Sequence, residues 1–288
     1  MPVALLMTAA IVPPNPLPGK SPAVLDPGRR LAEYLRALTF YIHEPGFDDI
    51  VFCENTGADL SAVEGLARRA AERGKRLEVI GFRGDRDLIA RFGYYGCGEA
   101  EIIDHAVLHS NLLRQHPSFC KVTGRYLLRN PARVLHAIGS RRDFFCHDGF
   151  TPVTHFASVM FEVMTAFFMV SRTTYDRCLY RKVIPVYEWF YSHPNVEALF
   201  PARHPYLLLE QVYYVLLRNV LKSARHGYVP VAFEHWQYGP LASRLRDLAL
   251  SASGLDRFGP LHWIVDRLFF DRMYGDFLGR KRPAVDQV

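Results

Sequence analysis

The hydrophobic pattern of this chain changes period several times in its first half. Val3-Ala4-Leu5-Leu6-Met7-Thr8-Ala9-Ala10-Ile11-Val12 is a nearly continuous apolar run, as expected of a strand covered on both faces. It lacks a positively charged leader and is too short to span a membrane, so it reads as a buried first strand rather than a signal peptide. Pro13, Pro14, Pro16 and Pro18 then force a loop. From Arg29 and Arg30 the apolar positions fall at helical spacing through Leu31, Tyr34, Leu35, Leu38 and Tyr41. Asp26 is placed to cap that helix and Pro45-Gly46 to stop it.

The alternation continues. Asp48 to Cys53 predicts a second strand, ending in the polar loop Glu54-Asn55-Thr56-Gly57-Ala58-Asp59. Residues 60–74 predict a helix on Val63, Leu66, Ala67 and Ala70, and 77–82 a third strand. A polar loop from Arg83 to Asp87 leads to the glycine-rich Gly93-Tyr94-Tyr95-Gly96-Cys97-Gly98-Glu99, with helical spacing from Ala100 to Gln115. Ser118 to Leu128 predicts a fourth strand. Strands alternating with helices imply a mostly parallel sheet with helices on its faces, an α/β fold. In such sheets ligands bind outside the carboxyl ends of the strands.

After Asn130-Pro131 the alternation fades. Arg133 to Ile138 fits a short helix or strand, Arg142 to Cys146 a strand, and Phe156 to Val170 a buried helix. Tyr187 to Tyr191 and Pro205 to Leu221 predict helices, Gly227 to Phe233 a strand, and Leu241 to Leu250 and Leu261 to Phe277 helices. The second part of the chain is therefore expected to be helix-rich.

Composition narrows the picture only a little. The 288 residues are 49% hydrophobic and 22% charged, ordinary for a folded protein. The net charge of +6 suits nucleic acid, an anionic membrane surface or a diphosphate. No run of five or more like charges occurs, so a nucleic-acid-gripping tail is not supported. The five cysteines form no C-x-x-C pair, and their odd number and apolar neighbours fit reduced, buried thiols in a cytosolic protein. His105 and His109 have a metal-compatible spacing but lack an evident third ligand. Near the C-terminus, Trp263, Leu268, Phe269, Phe270, Met273 and Phe277 lie beside Arg267, Arg272, Arg280, Lys281 and Arg282. That stripe fits either the core or peripheral contact with an anionic membrane.

The candidate chemistry gathers at the predicted strand ends. Gly93, Gly96 and Gly98 match neither a P-loop nor G-x-G-x-x-G, and fit equally a tight turn. Lys121 and Arg125 flank the end of an apolar strand in Lys121-Val122-Thr123-Gly124-Arg125-Tyr126. There they can meet a diphosphate, or pair internally with Glu99, Glu101 or Asp104. Glu54 and Asn55 can hydrogen-bond a base or ribose, or cap the next helix. Asp143 and Asp148, which flank a short strand, and Glu210 are candidates for a catalytic base; alternatively Asp143 pairs with Arg141 or Arg142, and Glu210 with Arg218 or Arg203. No G-x-S-x-G elbow is present, which counts against a hydrolase.

Several of these stretches resemble bacterial GT-A-type glycosyltransferases of lipopolysaccharide and capsule polysaccharide synthesis. They are Val3–Pro13, Asp26-Pro27 with Arg29-Arg30-Leu31, Phe52 to Asp59, Tyr95–Ile103, and Lys121–Tyr126 with Asn130, about the first half of the chain. The resemblance implies a nucleotide-sugar-binding α/β domain at 1–150 and a helix-rich acceptor-side region at 151–288 packed on it. It implies a nucleotide-sugar donor, a glycan or lipid-linked acceptor, and a cytoplasmic protein, peripheral at the inner membrane. Donor contacts would be Thr8, Glu54, Asn55, Gly98, Glu99, Lys121, Thr123, Gly124, Arg125 and Tyr126. Such enzymes usually carry Asp-x-Asp after the fourth main strand to hold Mn or Mg. Here that place reads Lys-Val-Thr-Gly-Arg-Tyr, and Lys121 and Arg125 are expected to neutralise the diphosphate instead. Two other readings share the fold: a catalytically inactive scaffold of a polysaccharide assembly complex, and a Rossmann-type nucleotide enzyme of another class. The missing dinucleotide fingerprint counts against the latter.

Overall fold

The structure is a computed structural model that describes residues 3–12, 26–93, 95–140, 143–145, 163–192, 207–223 and 233–234. The predicted helices over 241–250 and 261–277 and the basic aromatic stripe lie outside the described residues.

Among the described residues, five strands form the main sheet: β1 (Ala4–Ala9), β2 (Asp49–Glu54), β3 (Arg76–Gly81), β4 (Ser118–Thr123) and β6 (Phe167–Ser171). Their order is β3-β2-β1-β4-β6. The first four run parallel and β6 lies antiparallel against β4. β1 is buried at every position, as its unbroken apolar run requires. The mostly parallel α/β sheet read from the sequence is thus the observed one.

Helices cover both faces. Leu5, Met7 and Phe52 pack against α1 (Pro27–His43), α2 (Ser61–Glu64), α3 (Ala67–Glu72) and α7 (Pro131–Ile138). Ala4, Leu6, Val51 and Cys53 face α4 (Arg86–Phe92), α5 (Gly96–His109), α6 (Asn111–Arg114), α8 (Arg172–Cys178), α9 (Val183–Tyr191) and α10 (Leu209–Ser223). α1 begins as its sequence predicts: Pro27 opens it and the Asp26 carboxylate accepts from Arg29 N at 2.6 Å.

Several boundaries differ from expectation. The single helix over 60–74 is two short ones. The polar loop after β3 becomes α4, because Asp85 caps it and Gly93, at φ 62°, closes it. Gly96 and Gly98 are the first turn of α5, not a turn before it. The fourth strand breaks at Gly124, and its continuation β5 (Leu127–Leu128) pairs with β7 (Phe233–Glu234). Of the strand expected over 142–146, residues 143–145 are described, and Phe144 there bridges to Met169.

The largest difference is β6. The long apolar run expected to be a helix contains a strand, with Phe168 and Val170 toward one core and Phe167 and Met169 toward the other. A short apolar run buried on both sides has no period to separate helix from strand. As a result the sheet takes its fifth strand from beyond residue 150.

Candidate functional site

The strand order reverses between β1 and β4, which makes the crevice at their carboxyl ends a topological switch point. Thr8 and Thr123 face each other there in register. Thr8, Lys121 and Thr123 all project to the α5 side of the sheet, where the first turn of α5 brings Glu99.

Glu99 Oε1 collects this cluster. It accepts from Thr8 Oγ1 at 2.9 Å, Lys121 Nζ at 2.6 Å and Thr123 Oγ1 at 3.1 Å. Lys121 Nζ also donates to Thr123 Oγ1 at 3.1 Å and to the Thr165 carbonyl at 2.5 Å. Its side chain is fully buried while that of Glu99 keeps 21% exposure. Of the partners open to Lys121 from the sequence, Glu99 is the one it takes. The lysine charge is therefore answered inside the protein and does not face the crevice.

Arg125 is likewise engaged, with Nη1 2.9 Å from Glu33 Oε2. The turn before it is tight: Gly124 N donates to Thr8 O at 2.9 Å and Tyr126 N to Thr123 O at 2.8 Å. A Cβ on Gly124 would stand 2.5 Å from Thr8 O, so this close approach requires glycine. The carbonyl of Tyr126 accepts from Tyr41 OH at 2.8 Å, which ties the turn to α1.

Glu54 is fully buried and holds the rim together. Its oxygens accept from the backbone N–H groups of Ile11 at 2.9 Å, Thr56 at 2.9 Å, Gly57 at 3.1 Å and Ala58 at 3.4 Å, and from the Thr56 hydroxyl. A carboxylate so occupied organises the loops after β1 and β2 rather than presenting itself to a ligand. Gly84 N donates to Asn55 O at 2.8 Å and extends the lacing to β3. Among the described residues, Asn55 Oδ1 and Glu101 Oε2 are buried and find no hydrogen-bond partner. Burial raises the Glu101 carboxyl above its usual range. A Cβ on Gly98 would meet Ile89 Cδ1 at 3.3 Å and Asn55 Nδ2 at 3.7 Å, so that glycine lets α5 approach the loop.

Of the expected base candidates, Asp148 lies outside the described residues, and Asp143 and Glu210 separate. Asp143 accepts from Ser171 N at 2.8 Å, Ser171 Oγ at 3.3 Å and Thr174 Oγ1 at 3.0 Å. It supports the amino end of α8, beside Ser118 at the start of β4. That is the sheet edge opposite the switch point, about 16 Å away along β4 at the usual rise per residue. Glu210 lies instead at the carboxyl edge. It is half-buried, its Oε1 accepts from the Thr165 hydroxyl, and its carbonyl accepts from Val163 N at 3.0 Å. Since the Thr165 carbonyl also takes Lys121 Nζ, Glu210 is joined to Glu99 through Thr165 and Lys121.

Three contributors were not singled out as site residues from the sequence. Arg30 is buried, with Nε 2.7 Å from Ala10 O, and Tyr34 OH accepts from Ala10 N at 3.0 Å. Both anchor the end of β1. Their signal was present, since Arg30 stands four residues before Tyr34 on the apolar stripe of α1. Thr165 gave no signal, because nothing local marks it.

At the end of β4 the Lys121 ammonium takes one oxygen of the Glu99 carboxylate. Among the described residues, no group of three or more His, Cys, Asp or Glu is arranged to hold a metal. The His105 and His109 rings lie 4.2 Å apart, tilted by 35°, and His105 stacks on Phe82 at 3.8 Å.

No protein-family model matches the chain, and no curated protein matches it in sequence. Solved structures show a loose likeness. HddC from Yersinia pseudotuberculosis aligns over 62% of this chain and 79% of its own, with 11% identity and a TM-score of 0.33. Mannosyltransferase PcManGT from Pyrobaculum calidifontis, in complex with GDP-Man and Mn2+, aligns over 94% of this chain and 69% of its own, with 10% identity and a TM-score of 0.44. Mouse xyloside xylosyltransferase 1, in its apo form, aligns over 80% and 85%, with 12% identity and a TM-score of 0.38. All three scores lie below 0.5, and each similarity stops at a loose likeness of arrangement.

Proposed function

We infer that the protein is a glycosyltransferase that moves a sugar from a nucleotide-sugar donor to a glycan or lipid-linked acceptor in cell-surface polysaccharide synthesis. One observation carries this reading. Thr8, Glu99, Lys121 and Thr123 form a hydrogen-bonded polar cluster at the switch point of a mostly parallel sheet, where such folds bind nucleotides. The first-half sequence motifs that resemble GT-A enzymes are the same segments that build this edge.

In this reading the donor lies in the crevice outside β1 and β4. Glu54, Arg30 and Gly124 hold its floor rigid, so little reorganisation accompanies binding. Glu210 is the base. It takes the proton of the acceptor hydroxyl as the acceptor oxygen bonds to the sugar carbon and the nucleoside diphosphate leaves with the electrons of its own bond. The protein works at the cytoplasmic face of the inner membrane, where lipid-linked acceptors are made.

The test is a thermal-shift screen of the purified chain against UDP-, GDP-, CMP- and dTDP-sugars, with and without manganese, followed by mass detection of transfer or donor hydrolysis. A ligand that binds only the folded state raises Tm. The reading expects one nucleotide class to raise Tm and turn over. Binding without turnover would favour the scaffold reading, and no shift with any donor would refute both.

A further inference from the structure

The two oxygens of Glu99 have different surroundings. Oε1 faces inward and takes Thr8, Lys121 and Thr123. Oε2 meets no donor among the described residues and is not among the buried unpartnered atoms, and the side chain keeps 21% of its surface. Three donors drawn from two adjacent strands fix the carboxylate from behind. The oxygen left over reaches the surface at the switch point.

A carboxylate oxygen selects its partners by charge and by proton. Phosphate oxygens are acceptors of like charge and are disfavoured beside it. A hydroxyl can donate to it, and a donor held by a charged acceptor makes a stronger hydrogen bond than a neutral pair. A nucleotide-sugar carries two hydroxyl-rich rings, one on each side of its diphosphate.

We propose that Glu99 Oε2 is the acceptor for a sugar hydroxyl of the donor, with Lys121, Thr8 and Thr123 as positioning residues. The proposal rests on the nucleotide-sugar reading and refines it. It assigns Glu99 to a ring hydroxyl, and it leaves the diphosphate outside the Glu99–Lys121 pair. The hydroxyl belongs either to the ribose or to the transferred sugar, which present the same chemistry.

The Glu99→Gln variant isolates the outward atom. Its amide oxygen can keep the three inward donors while its NH2 turns an acceptor into a donor. Calorimetry on the full chain, wild type and E99Q, would use UDP and GDP, their 2′- and 3′-deoxy counterparts, and UDP-glucose and GDP-mannose, beside a thermal melt of each protein. If the ribose is read, the wild type prefers a ribonucleotide over a deoxy form by about tenfold or more, and E99Q loses that preference. If the transferred sugar is read, E99Q binds the bare diphosphate as the wild type does and loses the affinity added by the sugar. A merely structural glutamate would lower the melt and leave both discriminations intact, which overturns the assignment. Should E99Q not fold, the wild type decides alone. Equal affinity for ribo and deoxy forms, together with none gained from the transferred sugar, also overturns it. A wild type that binds none of these UDP or GDP ligands, and none of the four nucleotide classes in the thermal-shift screen, removes the function reading and this assignment together, and differs visibly from binding without discrimination.

Discussion

Lys121 Nζ lies 2.6 Å from Glu99 Oε1, with the lysine side chain fully buried and the glutamate partly open. The asymmetry sets which loss is worse. Glu99→Ala strands an ammonium away from water, at a cost of about 3–5 kcal/mol. Lys121→Met leaves a carboxylate that can still reach solvent and should cost less. Urea unfolding of both variants checks the order. Equal or reversed losses would show that the pair is not the fold's main support for the buried charge.

Gly124 should not tolerate a side chain. An added Cβ meets Thr8 O at 2.5 Å and the Tyr34 ring at 3.1 Å, and the first is backbone that cannot swing aside. Gly124→Ala is expected to cost about 2–3 kcal/mol and to weaken donor binding by moving β1 from β4. Gly65→Ala is the control, since its Cβ meets the Ser61 carbonyl at 3.4 Å and the Ala62 carbonyl at 3.6 Å, both ordinary contacts. It should stay within about 0.5 kcal/mol of wild type. Matching unfolding curves for the two variants would contradict the close-approach argument.

Asp104 gives the fold a pH dependence. Burial pushes its carboxyl up to about 6, against hydrogen bonds from Tyr175 OH and Arg181 N that pull it down. The folded chain thus holds this proton more tightly than the unfolded chain. Its contribution is greatest below the ordinary aspartate range near 3.8, declines as pH rises to about 6, and stays at its lower level above that. The swing is of order 3 kcal/mol at most. Urea midpoints from pH 4 to 7 should fall more steeply in wild type than in Asp104→Asn. Parallel slopes would remove Asp104 as the source.

Glu210 and Asp143 should part in their kinetics. Glu210→Gln is expected to lower transfer by about 100-fold or more with donor affinity within about twofold of wild type. Asp143→Asn should keep its turnover and lose about 1 kcal/mol of stability through the amino end of α8. The outcome that defeats the assignment is full turnover in the Glu210 variant.

Much of the fold was legible because β1 and most of β2 are apolar runs bounded by loop signals. Val3–Val12 and Asp48–Cys53 could be read as covered strands before any partner was known, and Asp26-Pro27 announced the start of α1. The reading failed at Phe167–Ser171 for a definite reason: buried on both sides, that run shows no period. It failed at Gly96 and Gly98 because a helix's first turn tolerates glycines that look like a loop.

The site was legible as a set of residue types and not as a geometry. The sequence by itself determined that Lys121, Thr123 and Gly124 end a strand, that Thr8 and Glu54 end others, and that this edge is polar. It left Lys121 open between a ligand and a carboxylate, and left Asp143 and Glu210 equal. Tertiary structure gives Lys121 its carboxylate partner and sets Asp143 and Glu210 at opposite edges of the sheet. α5 brings Glu99 under Lys121, because a buried ammonium needs a charge partner within reach. β6 runs antiparallel to β4, so its start, with Thr165 and Glu210, reaches the switch point while its end, with Ser171 and Asp143, lies at the far edge. Strand direction is a property of pairing between distant segments, and no local pattern encodes it.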